Sequence, residues 1–481
     1  MLRKIRIILA AVFFTCISLL FLDFTGSLHT WLGWMAEIQF LPAVLAANTA
    51  IVAALILATV LFGRIYCSVI CPLGVMQDII SWANGKLKKK NRFRFGYKKE
   101  NKWLRYGFLI TFIVLMAVGA QSLAALIAPY SAYGRIASNL LAPLYQWANN
   151  SLAWIAERAD SYAFYKKEVW IRSLPVFFTA AATFIVLFIM AWKGGRTYCN
   201  TACPVGTILG FFSRRSIFTP VIDPNKCSRC GLCEKQCRSS CLDIQNSKID
   251  YSRCVACMDC ISTCKDGAIR FKSRYGAPQE DTKTENGVGR RAFIATAAVT
   301  GAAIAAEAHG KSISGNRQTP VVPAGSISLK NMADHCTACQ LCVSVCPNDV
   351  LSPSSSLQTL MQPEMSYKKG YCRPECNRCS QVCPTGAIRP VSIEEKSSIQ
   401  IGHAVIDLDI CVVNTDDVSC GNCARHCPAE AIMMLPQEDG THEIPAVDEE
   451  RCIGCGACEY LCPARPVKAI HIEGHLVHKT I

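Results

Sequence analysis

Apolar residues dominate four stretches of the first two hundred positions, near 5–22, 41–63, 106–128 and 174–192. Each approaches the roughly 20 residues with which an α-helix crosses a hydrocarbon core. The pattern predicts a helical membrane domain over residues 1–213 with four spans. Arg3, Lys4 and Arg6 precede the first stretch and no small-residue cleavage site follows in place, so it reads as a retained anchor. Beyond residue 213 the pattern changes. Residues 214–275 and 320–481 contain little that is long or periodic enough for a substantial helix, and predict small α+β modules. Short strands are expected after their Cys-Pro turns, as at Ala387-Ile388 and Ala431-Ile432. A polar linker, 276–289, leads to one more mildly apolar run at 290–308, a possible fifth span.

The polar positions orient the spans. Ten basic residues lie between Lys86 and Arg105, opposed by Glu100 alone, so this short loop is expected in the cytoplasm. Residues 129–173 then face the periplasm of a bacterial inner membrane. Tyr130, Tyr133, Tyr145, Trp147, Trp154, Tyr162, Phe164, Tyr165 and Trp170 fall there, where interfacial anchoring to lipid explains them more economically than a quinol pocket.

Cysteine changes the picture most. Of thirty, twenty-four form six sets of four. A chain of 481 residues has ample length for its own cores without disulfide staples. Cys227, Cys230, Cys233 and Cys237 read C-x2-C-x2-C-x3-C. Cys254, Cys257, Cys260 and Cys264 repeat the spacing, as do Cys336, Cys339, Cys342 and Cys346, and Cys452, Cys455, Cys458 and Cys462. Two variants follow other spacings: Cys372, Cys376, Cys379 and Cys383, and Cys411, Cys420, Cys423 and Cys427. The regular run is that of bacterial ferredoxins, in which three close thiolates hold a [4Fe–4S] cubane and the fourth reaches its partner. Structural zinc, the competing reading, favours isolated CxxC pairs, often with His.

By that crossing rule Cys227, Cys230, Cys233 and Cys264 hold one cluster of the 214–275 module, and Cys254, Cys257, Cys260 and Cys237 the other. Cys241 is surplus and competes with Cys237. Arg238 and Lys265 stand where proline usually follows the fourth cysteine.

Net charge fits six clusters. The polypeptide carries +14. Each oxidised cubane with four thiolates contributes about −2, which removes most of the excess and with it any argument for nucleic acid. Haem is not expected, since the membrane half holds only His29 and no C-x-x-C-H occurs. His29, near Trp31 and Trp34, reads as interfacial, and Cys16 as a small hydrophobe.

An internal repeat closes the second and fourth apolar stretches. Gly63-Arg64-Ile65-Tyr66-Cys67, ending Cys71-Pro72-Leu73-Gly74, matches Gly195-Arg196-Thr197-Tyr198-Cys199, ending Cys203-Pro204-Val205-Gly206. Cysteines at i and i+4 share a helical face. Cys67, Cys71, Cys199 and Cys203 are therefore candidates for a four-thiolate metal site or for redox-active thiols near quinol, beside the plainer reading of a duplicated helix turn.

Arg290-Arg291, followed by an alanine-rich run, resembles an internal twin-arginine signal, read by the Tat export machinery that moves folded domains. Ala306-Glu307-Ala308 fits an A-x-A cleavage pattern.

On these motifs residues 1–275 resemble the NapH-type membrane quinol dehydrogenases, with four spans, two C-x3-C-P motifs and a cytoplasmic two-cluster ferredoxin. Residues 286–481 resemble the NapG/MauM-type periplasmic ferredoxins, with a twin-arginine signal and four cubanes. The resemblance implies a fusion that passes electrons from the quinone pool to a periplasmic reductase, nitrate reductase foremost. It also implies that the four periplasmic motifs pair first with fourth and second with third. Cys336, Cys339 and Cys342 would then take Cys462, and Cys452, Cys455 and Cys458 would take Cys346. Cys372, Cys376 and Cys379 would take Cys427, and Cys411, Cys420 and Cys423 would take Cys383. The competing function is a maturation or regulatory factor that works through the paired membrane-edge thiols.

Overall fold

Helices of two kinds arise from the apolar stretches. The computed structural model describes residues 1–87, 95–274, 317–356, 358–437 and 442–481, and the twin-arginine segment lies outside them. Leu2–Leu22 and Leu174–Gly194 are single helices of 21 residues, long and apolar enough to cross a membrane. The other two expected spans are not continuous. The second divides into Phe40–Leu45 and Thr49–Phe62, with Ala47 left-handed at φ 53 between them. The third divides into Lys102–Val118 and Gln121–Ile127 at Gly119, φ 87, the left-handed residue with which helices commonly end. At 1.5 Å per residue a helix such as Thr49–Phe62 rises only about 21 Å.

The breaks are built features, because side chains satisfy the backbone groups they free. Asn48 Oδ1 accepts from Ile51 N at 3.2 Å and so caps Thr49–Phe62. Arg135, fully buried, donates to Ala125 O at 2.8 Å and Leu126 O at 3.2 Å, and Tyr198 OH donates to Ile127 O at 2.6 Å. Tyr66 OH donates to Gln39 Oε1 at 3.0 Å and accepts from Phe40 N at 3.1 Å. The tyrosine of each repeat thus secures one broken helix.

Two compact units result. The first comprises Met1–Leu20, Leu32–Leu140 and Phe178–Ala308, and so joins the two-cluster module to most of the helices. Within it Arg3 pairs with Asp259 at 2.7 Å, Arg105 Nη2 donates to Ser252 O at 3.1 Å, and Arg196 N donates to Arg238 O at 2.9 Å. Strand Phe218–Ile222 pairs antiparallel with Ile269–Ser273, and Leu242–Asp243 with Lys248–Ile249. Tyr130 and Tyr133 belong to this unit and are buried, with Tyr133 against Ser18, so they are not the interfacial anchors expected.

The second unit comprises Phe21–Trp31, Leu141–Phe177 and His309–Ile481. Its helices are short apart from Ala142–Arg158, which carries the exposed Trp147 and Trp154. Among the described residues three antiparallel strand pairs frame the cysteines: Leu351–Pro353 with Pro363–Met365, Ile432–Pro436 with Glu443–Val447, and Ile399–Ile406 with Ile470–Thr480. A strand therefore follows Ala431, as expected, whereas Ala387-Ile388 lies in a bend. Val321, Val343, Ile388, Ile401 and Ile472 form a core together with the cysteines themselves. Arg172 pairs with Asp349 at 2.5 Å and Lys369 with Glu168 at 2.8 Å, which fastens the 141–177 segment to the cysteine-rich region.

Candidate metal centres

Each regular cysteine set folds in the same way. The third residue of its first loop is left-handed, Arg229, Ala256, Ala338 or Gly454, and so is the residue after the second cysteine, Gly231, Met258, Gln340 or Gly456. Such curled loops turn backbone N–H groups inward, a nest suited to an anionic cluster. Ala338 N donates to Cys336 Sγ at 3.4 Å. Short helices then carry the third cysteine, as in Leu232–Gln236 and Ala457–Leu461. Positive φ at Arg229, Ala256, Met258, Ala338 and Gln340 is local strain that the surrounding loop must impose.

In the two-cluster module Cys233 interacts electrostatically with Cys227 and Cys264, and Cys260 with Cys257, Cys254 and Cys237. Cys233, assigned by the spacing to the other set, also faces Cys260. Cys237, Cys241, Cys254, Cys257 and Cys260 line one cavity. Cys241 Sγ lies 3.6 Å from Cys237 Sγ, so the surplus thiol stands at the cage.

The four-cluster region differs from the pairing implied by resemblance. Cys336, Cys339 and Cys342 each interact with Cys383, not Cys462. Cys346 joins Cys372, Cys376 and Cys379 around a shared cavity. Cys411 meets Cys420 and Cys462, and Cys423 meets Cys420 and Cys411. Cys452, Cys455 and Cys458 each meet Cys427. Motifs adjacent in sequence therefore exchange their fourth cysteines, first with second and third with fourth. The physical reason is placement: Cys346 lines the same cavity as Cys372, Cys376 and Cys379. A backbone hydrogen bond from Cys372 N to Cys455 O, 2.9 Å, then joins the two pairs.

The variant sets have their own supports. The Cys372–Cys376 loop lacks the left-handed pair of the regular loops. Lys396, buried at the end of Ile393–Ser398, instead holds it by donating to Arg373 O at 2.6 Å and to Cys376 O. Its ammonium also faces Cys372. In the other variant Asp417 and Gly421 supply the left-handed turns on either side of Cys420.

The repeat brings its four cysteines together. Cys67, Cys71, Cys199 and Cys203 are 4–5% exposed and interact mutually. The arginine of each copy crosses to the other: Arg64 donates to Cys199 O at 3.0 Å, and Arg196 to Cys67 O at 2.6 Å. Each also reaches a sulfur of its own copy, Arg64 to Cys67 Sγ at 3.8 Å and Arg196 to Cys199 Sγ at 3.7 Å. Gly74 and Gly206 make room. A Cβ at Gly74 would lie 2.3 Å from Cys67 O and 2.5 Å from Arg196 Nη1, and one at Gly206 2.4 Å from Cys199 O and 2.6 Å from Arg64 Nη2. Asp78 receives both Arg196 nitrogens at 2.9 Å and also pairs with Arg6 and Arg238. Burial alone would raise its carboxyl, but Arg196 and Arg238 outweigh that and hold it well below the usual range. Burial pushes the Cys71 thiol up to about 12. The arginines, tyrosines and glycines were visible in the sequence as parts of a repeat, but their roles were not. Asp78, which lies beyond the repeat, carried no signal at all.

Among known proteins, the sequence matches a 4Fe-4S binding domain twice, at residues 45–90 and 176–220, and 4Fe-4S dicluster domains at 335–388 and 418–465. The 335–388 match spans the Cys336 and Cys372 sets, and the 418–465 match spans Cys420, Cys423, Cys427 and the Cys452 set. The methylamine utilization ferredoxin-type protein MauM of Methylobacillus flagellatus is 31% identical over 174 residues, 34% of this chain and 74% of that protein. The ferredoxin-type protein NapG of Escherichia coli is 31% identical over 212 residues, 40% of this chain and 90% of that protein. An uncharacterized protein of Methanocaldococcus jannaschii is 25% identical over 252 residues, 52% of this chain and 80% of its own. No solved structure matches.

Proposed function

The chain belongs to the ferredoxin-type 4Fe-4S proteins, and from that premise we propose that it is a membrane-bound conduit carrying electrons from quinol to a periplasmic reductase of the nitrate-reductase kind. The observation that carries this reading is the junction between Cys372 and Cys455. It supports an unbroken order of four cages: the Cys336 cage, the Cys372 cage, the Cys452 cage and the Cys411 cage. Each cage would hold one [4Fe–4S] cluster, with two more in the 214–275 module, and such clusters supply one-electron carriers. The protein supplies inward N–H groups and buried cations, which set how readily each accepts an electron.

Membrane residence is supported by the two 21-residue apolar helices. The two broken stretches complete four passes, since non-helical backbone is tolerated at membrane depth when protein groups satisfy it. Sidedness is supported separately in each unit. The two-cluster module binds Arg3, Arg105 and Arg196, at positions the basic loop assigns to the cytoplasm. The four-cluster module binds 141–177 and abuts Gly26 through Arg378, at positions assigned to the periplasm. Thiol exchange with a partner protein fits less well, because the four repeat cysteines are buried.

The test is direct. Oxidised holoprotein in detergent, mixed anaerobically with a menaquinol or ubiquinol analogue, is expected to lose its cluster absorbance and to regain it on adding an electron acceptor. Clusters that dithionite reduces but quinol does not would refute the quinol reading.

A further inference from the structure

Between two cages of the second unit lies a cleft that transfer from cage to cage does not use. It measures about 730 Å³ and borders Cys376, with Tyr371, Glu375, Arg378 and His426 among its walls. We propose that quinol is oxidised in this cleft, with His426 and Glu375 receiving its two protons. The inference deepens the quinol reading above and rests on it; what it adds is the site.

Position is the first argument. Cys376 belongs to the Cys372 cage, whereas His426 and Pro428, both in the lining, flank Cys427, which meets Cys452, Cys455 and Cys458. A molecule in the cleft therefore borders two cages at once. That suits a donor which gives up a pair of electrons to carriers that take them singly. In the cage order proposed above one further cage lies beyond each of these two, so both electrons have an onward path.

Proton acceptors are the second. His426 Nδ1 lies 2.9 Å from Asn422 O. A carbonyl only accepts, so in the neutral ring Nδ1 carries the proton and Nε2 keeps a free lone pair. Glu375 adds a carboxylate to the same lining. The oxidation then balances: both quinol O–H bonds break and the two ring oxygens become carbonyls. One proton passes to His426 Nε2 and one to Glu375, and one electron goes to each flanking cage. A protein docked here merely to accept electrons would have no use for these bases.

Shape and access are the third. The volume falls within the roughly 300–1,000 Å³ of small-molecule sites. Tyr371, Pro374 and Pro428 give the cleft stiff apolar walls, and Tyr371 is held against Tyr460 with ring centroids 6.2 Å apart. Arg378, also in the lining, reaches Gly26, where an added Cβ would sit 3.4 Å from its Nη1. Gly26 follows the apolar helix Leu2–Leu22 by four residues, and four residues span at most about 14 Å. The lining thus comes close to the end of a membrane helix, where the head group of a lipid-dissolved quinol arrives.

Three measurements on anaerobically purified full-length holoprotein in detergent test the site. The fluorescence of 2-heptyl-4-hydroxyquinoline N-oxide, an unreactive quinol analogue, is expected to be quenched by the wild type and not by Asn348→Trp, which fills the cleft from its lining. His426→Gln is expected to keep that quenching but to slow cluster bleaching by menadiol about 100-fold, as loss of a general base does. Dithionite should reduce both variants as fast as the wild type. Menadiol reduction of both variants at the wild-type rate would overturn the proposal while leaving the quinol reading in place. A wild type that menadiol does not reduce would instead refute the quinol reading. If Asn348→Trp loses its clusters, His426→Gln, a substitution at an exposed position, decides by itself.

Discussion

The repeat site and the ferredoxin cages gather the same atoms by different means. A cage takes three cysteines from one short loop, and left-handed residues such as Ala338 and Gln340 curl that loop around its cluster. The repeat takes two cysteines from each of two distant helix ends and locks them with crossed arginines, Arg64 and Arg196. Backbone shape prepares the cages, whereas buried charge and glycine clearance prepare the repeat. The Cys372 cage lies between these extremes, since Lys396 replaces the missing left-handed turns.

The largest expected effect falls on the charge-held site. Arg196→Ala removes the principal partner of buried Asp78 and the tie to Cys67 O. It should destabilise the first unit by on the order of 3 kcal/mol, the cost of breaking a buried ion pair. Thermal unfolding in detergent, followed by tryptophan fluorescence, measures this, and an unchanged midpoint would show that the crossing is incidental. Lys396→Met offers the corresponding break in a cage.

A pH effect of intermediate size belongs to the second unit. Burial, with His475 adding to it, lowers His478 to about 4. Its neutral form is therefore favoured in the folded state, and the unfolded chain binds more protons between the ordinary value near 6.5 and the folded value. Stability from this group is full above that ordinary value and is lost as pH falls toward 4. The loss is on the order of 2–3 kcal/mol. His478→Gln should flatten that part of the stability profile, and an unaltered profile would contradict the assignment.

The smallest effect separates glycine clearance from charge. Gly74→Ala places a methyl against Cys67 O and Arg196. Overpacking of this kind costs about 1–3 kcal/mol. Gly107→Ala, in open space, should cost nothing measurable. Equal melting temperatures for the two variants would remove the packing argument.

The same contrast explains how much could be read from the sequence. The cages were legible because cluster ligands recur at short fixed spacings, each followed by the same curled loop. Apolar periodicity located the helices, but not the breaks at Ala47 and Gly119, which depend on Arg135, Tyr66 and Tyr198 arriving from elsewhere. Pairing in the last module was misjudged because it was carried over by resemblance, although the local rule applied there too. Lys396 and Asp78 gave no sign, since nothing in their surroundings in sequence marks a buried ion.

The central claim is that neighbouring motifs exchange fourth cysteines, which sets the order of the cages. EPR of reduced holoprotein carrying Cys346→Ser tests it most directly. The account predicts that the perturbed signal is the one also perturbed by Cys376→Ser. Perturbation of the signal assigned through Cys458→Ser would contradict it.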